Sequence, residues 1–99
     1  MADSRWIVGQ VARLEATLVD AGGYPADPGV LRCRVKAPDG TITVHAYGSD
    51  PDLVRDGAGA YHFDLVLTAS GAWHWRWEAD APNAGADEGQ VIVARSRFA

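Results

Sequence analysis

Three histidines, a loop of aspartates, one cysteine and a run of alternating tryptophans are the side chains here with the widest chemical range. His45, His62 and His74 offer imidazole ligands. No His-x-His or His-x-x-x-His pair joins two of them, and each falls on the predicted outward face of its strand, so solvated histidines are expected and no metal site. Asp50, Asp52 and Asp56 would supply calcium with oxygen ligands, but their spacing follows no calcium loop and suits turn-forming aspartates better. Ser70 lies in a turn without the setting of an activated nucleophile, and no carboxylate pair stands out among ten aspartates and three glutamates. The expectation is a protein without catalytic residues or cofactors. Cys33, the single cysteine, has no partner in the chain for a disulfide and cannot build a four-cysteine zinc site. It alternates with Arg32, Arg34 and Lys36, which predicts a buried thiol on one face and a basic stripe on the other. Trp73, Trp75 and Trp77 share one face of a strand, where they would either stack sugar rings or fill a core; the core is the preferred reading.

The elements that position these residues follow from their period. Ala12, Leu14, Ala16 and Leu18 alternate with Arg13, Glu15 and Thr17, the period of two that sets one strand face on a core. Residues 20–29 hold three glycines and two prolines and read as a loop. Leu31, Cys33, Val35 and Ala37 alternate next, Pro38-Asp39-Gly40 turns the chain, and Ile42, Val44 and Ala46 resume the inward pattern, so a hairpin is predicted. Leu53 to Arg55 reads as a short strand before the turn Asp56-Gly57-Ala58-Gly59. Tyr61, Phe63, Leu65 and Leu67 then face inward. After a turn at Ser70-Gly71 comes the tryptophan strand, then a polar loop to Gly89 and a closing strand around Val91 and Val93. No segment sustains a 3.6-residue period. The predicted fold is all-β, a single antiparallel sandwich of about seven strands over residues 1–99, with its body at about 9–95 and short terminal arms. Leu14, Leu18, Val35, Val44, Tyr61, Phe63, Leu65, Trp73, Trp75 and Val93 are its expected core.

The 99 residues carry a net charge of −4, which opposes phosphate-backbone binding and makes nucleic acid an unexpected partner. No apolar run reaches the length of a membrane span, and Asp3 interrupts any secretory leader, so neither membrane association nor export is expected.

Asp56-Gly-Ala-Gly-Ala-Tyr61, Leu65-Val-Leu67 and Ser70-Gly-Ala-Trp73-His-Trp-Arg-Trp77-Glu78 resemble the D-x-x-G-x-Y and S-G-x-W signature of bacterial immunoglobulin-like and filamin-like sandwiches. With Gly9-Gln-Val-Ala-Arg-Leu14, Pro38-Asp-Gly40 and Glu88-Gly-x-Val-x-Val-x-Arg-Ser-Arg97, the sequence is similar to small immunoglobulin-like structural proteins of tailed bacteriophages, prophages and gene transfer agents. The resemblance implies a virion protein assembled in the host cytoplasm, a head-associated decoration or connector-region component. Its partners would be capsid or connector proteins and further copies of itself. The alternative is a carbohydrate-binding or metal-handling module of the same fold. Trp6, Arg95, Arg97 and Phe98, large or charged side chains near the ends, are the candidate docking residues, with an edge strand beside them. Trp6 and Phe98 serve equally as caps over the open ends of the sandwich.

Overall fold

A computed structural model describes residues 6–80 and 85–95. Eight strands form two sheets: β1 (Trp6–Ile7), β2 (Val11–Thr17), β3 (Leu31–Lys36), β4 (Ile42–Ala46), β5 (Leu53–Gly57), β6 (Ala60–Val66), β7 (Gly71–Ala79) and β8 (Gly85–Ala94). One sheet has the order β1-β8-β7-β3-β4 and the other β2-β6-β5. The expected all-β sandwich is therefore present, with eight strands where about seven were expected. Every ladder is antiparallel except that of the two-residue β1, whose Trp6 and Ile7 run parallel to Val93 and Ala94 of β8.

The core forms where the inward positions of the sheets meet. Ala12 and Leu14 of β2, Leu31, Cys33 and Val35 of β3, Leu53 of β5, Tyr61, Phe63 and Leu65 of β6, and Trp73, Trp77 and Ala79 of β7 are buried, together with Leu67 and Val93. Leu18, Trp75 and Trp6 pack against this cluster from partly exposed positions. Burial drives the Cys33 thiol up to about 12, which makes it inert at neutral pH.

The predicted turns are built as their residues require. Gly40 adopts φ +92° after Asp39, whose carboxylate accepts the Thr41 N–H at 2.8 Å, and the hairpin closes through Ala37 N–H to Thr41 carbonyl at 2.8 Å. At the opposite end Tyr61, the anchor of its corner, donates its hydroxyl to Asp27 at 2.8 Å. The same carboxylate takes the Gly59 N–H at 2.9 Å and both Nε and Nη2 of Arg55, tying the loop before β3 to the β5–β6 turn.

Three expectations are corrected. Val44 is 52% exposed rather than in the core, and Ile42 is 56% exposed. The cause is register: Ile42 pairs with Lys36 and Val44 with Arg34, so they share the outward face of those cations while Thr43 and His45 turn inward opposite Val35 and Cys33. His45 consequently faces inward, its ring 4.2 Å from that of Phe63. Finally, β8 begins at Gly85, within the stretch expected to be loop, because residues 85–90 pair continuously with β7.

Candidate docking surface

The outward face of the five-stranded sheet gathers most of the charged groups of β3, β7 and β8. Register sets them in rows. Glu88, Arg76, Arg34 and Val44 lie side by side across β8, β7, β3 and β4, and Gln90, His74, Lys36 and Ile42 form the next row. Glu78 is the hub. Its Oε1 accepts Nε of Arg32 at 2.7 Å and of Arg34 at 2.9 Å, and its Oε2 accepts Nε of Arg76 at 2.9 Å. Arg76 Nη1 reaches Glu88 at 2.9 Å, and Arg32 Nη1 reaches Asp80 at 3.2 Å. Three guanidiniums and three carboxylates thus neutralise one another, and the basic stripe of the sequence becomes part of a mixed network. Held between Arg34, Arg76 and Arg32, Glu78 is lowered from an ordinary 4.5 to about 2.

Beside the network lies a shallow hollow of about 540 Å³ bordered by Lys36, Ile42, His74, Arg76, Glu88 and Gln90. Exposed aliphatic side chains flank it on both sides: Ile42 and Val44 on β4, and Ile92 on β8 with Ile7 on β1. The face thus carries oriented guanidiniums in the middle and exposed aliphatic groups at both margins.

Neither a characterised relative nor a known family model matches this sequence. The functional reading therefore rests on the positions of individual residues. Trp6, a candidate docking residue, is half-buried, pairs with Val93 and packs against the core cluster. Arg95 is exposed directly after β8, and Arg97 and Phe98 lie outside the described residues.

The remaining chemical candidates are dispersed. His74 is exposed on the outward face, and half-buried His62 on the other sheet holds Asp56 at 2.8 Å. His45 Nδ1 bonds Asp50, whose second oxygen accepts the Asp52 N–H at 2.9 Å, while His45 Nε2 lies 3.1 Å from the Thr43 hydroxyl. Hydroxyl, imidazole and carboxylate are ordered as in a nucleophilic triad. The imidazole packs on the Phe63 ring, and its bond to Asp50 ties β4 to the loop that follows it. Among the described residues no group of three or more His, Cys, Asp or Glu side chains is placed to hold a metal ion. Trp73 and Trp77 are 6% and 3% exposed, which removes them from any sugar platform. Among the described residues no helix is long and apolar enough to cross a membrane.

The carboxylates give the fold a defined acid response. Asp27 is held well below its ordinary 3.8, first by Arg55 and then by the Gly59 N–H and the Tyr61 hydroxyl, and Glu78 is lowered similarly. Depressed values mean that the folded chain binds these protons less readily than the unfolded chain. Their stabilisation is complete above the unfolded values near 4 and declines as pH falls through them. The expected melting temperature is flat from pH 7 to about 5 and falls below about pH 4. Asp27→Asn should make that acid slope shallower; an unchanged slope would show that the Tyr61 corner does not carry it.

Proposed function

We propose that this chain is a non-enzymatic structural component of a tailed-phage particle, a head-associated decoration or connector-region protein that works by docking onto other virion proteins in multiple copies. The observation that carries this reading is the outward face of the five-stranded sheet, where the Glu78-centred network lies between the aliphatic margins of β4 and β8–β1. Such a face suits a flat protein surface better than a small molecule, which favours a concave and enclosed site. The sequence resemblance supplies the virion context. The carbohydrate alternative loses its main support because two of the three alternating tryptophans are core.

Mass spectrometry and cryo-electron microscopy of purified particles from the producing cells test the reading. The chain should be found in stoichiometric amounts with density on the capsid or connector. Its absence from purified particles would overturn the proposal. In particles that contain it, Ile92→Lys, at an exposed position on the margin of the face, should abolish incorporation without lowering the melting temperature by more than a few degrees.

A further inference from the structure

Among the described residues, two open sheets leave free edges at β1, β4, β2 and β5, each exposing backbone groups that could template another strand. Three carry a device that discourages this. β1 has only two residues. β2 presents Arg13 and Glu15 on its outward face. β5 carries Arg55 and Asp56 and breaks register between Arg55 and Gly57. β4 has none of these: Ile42-Thr43-Val44-His45-Ala46 contains no Asp, Glu, Lys, Arg, Gly or Pro, and its ladder to β3 is continuous.

The backbone groups available there can be named. The bonds Ala37 N–H to Thr41 carbonyl and Tyr47 N–H to Leu31 carbonyl bracket the β3–β4 ladder. By alternation, Thr43 and His45 turn their groups toward β3, and Ile42, Val44 and Ala46 turn theirs to the open side. The Ala46 carbonyl is taken by the N–H groups of Ser49 and Asp50. Ile42 and Val44 therefore keep both N–H and carbonyl for a partner.

We propose that β4 is a homotypic pairing edge, joining antiparallel to β4 of a second copy about a two-fold axis at Thr43, with Ile42 opposite the second copy's Val44. Each such pair exchanges both backbone bonds, using the groups left open and none that the Ala46 turn occupies. The outward side gains a continuous patch of two isoleucines and two valines, and the inward side a threonine pair, both favourable cross-strand combinations. Charge selects this occupant. The other long edges of the chain bring charged side chains to the junction, whereas β4 against β4 brings none. On the outward face the nearest like charges, Lys36 and the second copy's Arg34, stand three strand spacings apart in one row, about 14 Å. That exceeds the screening length of ~8 Å at physiological salt. The contact is isologous, so it consumes the edge on both copies and closes as a dimer instead of propagating as a fibre. One short strand pair buries less than the ~1,200 Å² of a standard stable interface, so the association is weak and concentration-dependent.

The inference does not rest on the virion reading, since it concerns the isolated chain, and either can fail alone. Sedimentation velocity of the full chain from low micromolar to millimolar concentration should show the sedimentation coefficient rising to that of a dimer. Val44→Lys, at a half-exposed position away from the core, should keep the melting temperature and weaken dimerisation at least tenfold; Ile42→Lys should do the same. Thr43→Cys should form a disulfide-linked dimer under mild oxidation, because opposing residues at a non-bonded antiparallel position have Cα atoms ~4.5 Å apart. Buried Cys33 does not compete. A chain that stays monomeric at millimolar concentration, or a dimer indifferent to both lysine variants, overturns the proposal. A dimer lost in those variants but not crosslinked through residue 43 overturns the Ile42–Val44 register.

Discussion

Gly59→Ala is expected to destabilise the fold by about 4 kcal/mol or more, the range reached only when several named mechanisms act at one position. Gly59 has φ +68°, a left-handed conformation that disfavours any residue with a Cβ by about 1 kcal/mol. The larger effect is crowding. A Cβ there would lie 2.3 Å from the Leu18 carbonyl oxygen and 2.8 Å from the Ala26 nitrogen, both backbone atoms that cannot rotate away. These two atoms bond each other at 3.1 Å, and Gly59 receives the Leu18 N–H at 2.7 Å and gives its own N–H to Asp27. Pushing the strand end aside therefore breaks the junction of β2, the 20–29 loop and the Tyr61 corner together. Gly40→Ala isolates the conformational part, since Gly40 has φ +92° but open space where a Cβ would go. Urea denaturation of both variants checks the argument: Gly40→Ala should cost about 1 kcal/mol. An equal, small loss at Gly59 would show that the junction can yield.

How far the sequence revealed this arrangement depends on how strongly each strand is constrained. Ala12 and Leu14, Leu31, Cys33 and Val35, and Tyr61, Phe63 and Leu65 alternate with charged or exposed residues and are buried as their period requires. These strands have a face that water and core cannot share. β4 follows the same alternation with the opposite outcome, since Ile, Val and Ala face outward and Thr and His inward. Apolarity alone cannot orient an edge strand. The hairpin does: pairing Lys36 with Ile42 leaves five residues in the loop, and an odd number keeps even-numbered residues on one face. His45 was correspondingly illegible as an inward residue, because its place depends on Phe63 from the other sheet and on Asp50 from the following loop. The start of β8 was hidden for another reason. Gly89 lies opposite Trp75, and the indole occupies the space where a side chain would stand, with a Cβ at Gly89 only 2.4 Å from the ring. A glycine required by cross-strand packing looks in sequence like a loop glycine. The Glu78 network follows from register, with Arg32 opposite Glu78 and Arg34 opposite Arg76, so its charges were visible while their partners were not.

Trp77→Ala is expected to cost about 3–5 kcal/mol, a large share of the 5–15 kcal/mol that holds a domain of this size. Trp77 is 3% exposed on β7, the strand between β3 and β8, and pairs directly with fully buried Cys33, so its removal opens a cavity that neighbouring backbone cannot refill. Trp75→Ala should cost less because Trp75 is only partly buried and rests against Gly89 near the margin of the cluster. The three indoles also differ in their polar atom. Trp73 Nε1 donates to the Ala69 carbonyl at 2.9 Å, whereas Trp77 Nε1 is buried without an acceptor among the described residues. An unpaired buried N–H is unfavourable by about 1–3 kcal/mol, so Trp77→Phe, which removes it while keeping most of the ring, should be close to neutral. Trp73→Phe loses a satisfied bond and should be the more destabilising of the two phenylalanine variants. Urea denaturation ranks the four variants: Trp77→Ala should have the lowest midpoint of unfolding, and Trp77→Phe the one nearest to the parent. A Trp77→Phe variant as unstable as Trp77→Ala would show that the indole is held by a partner in the intact protein and that its N–H contributes to stability.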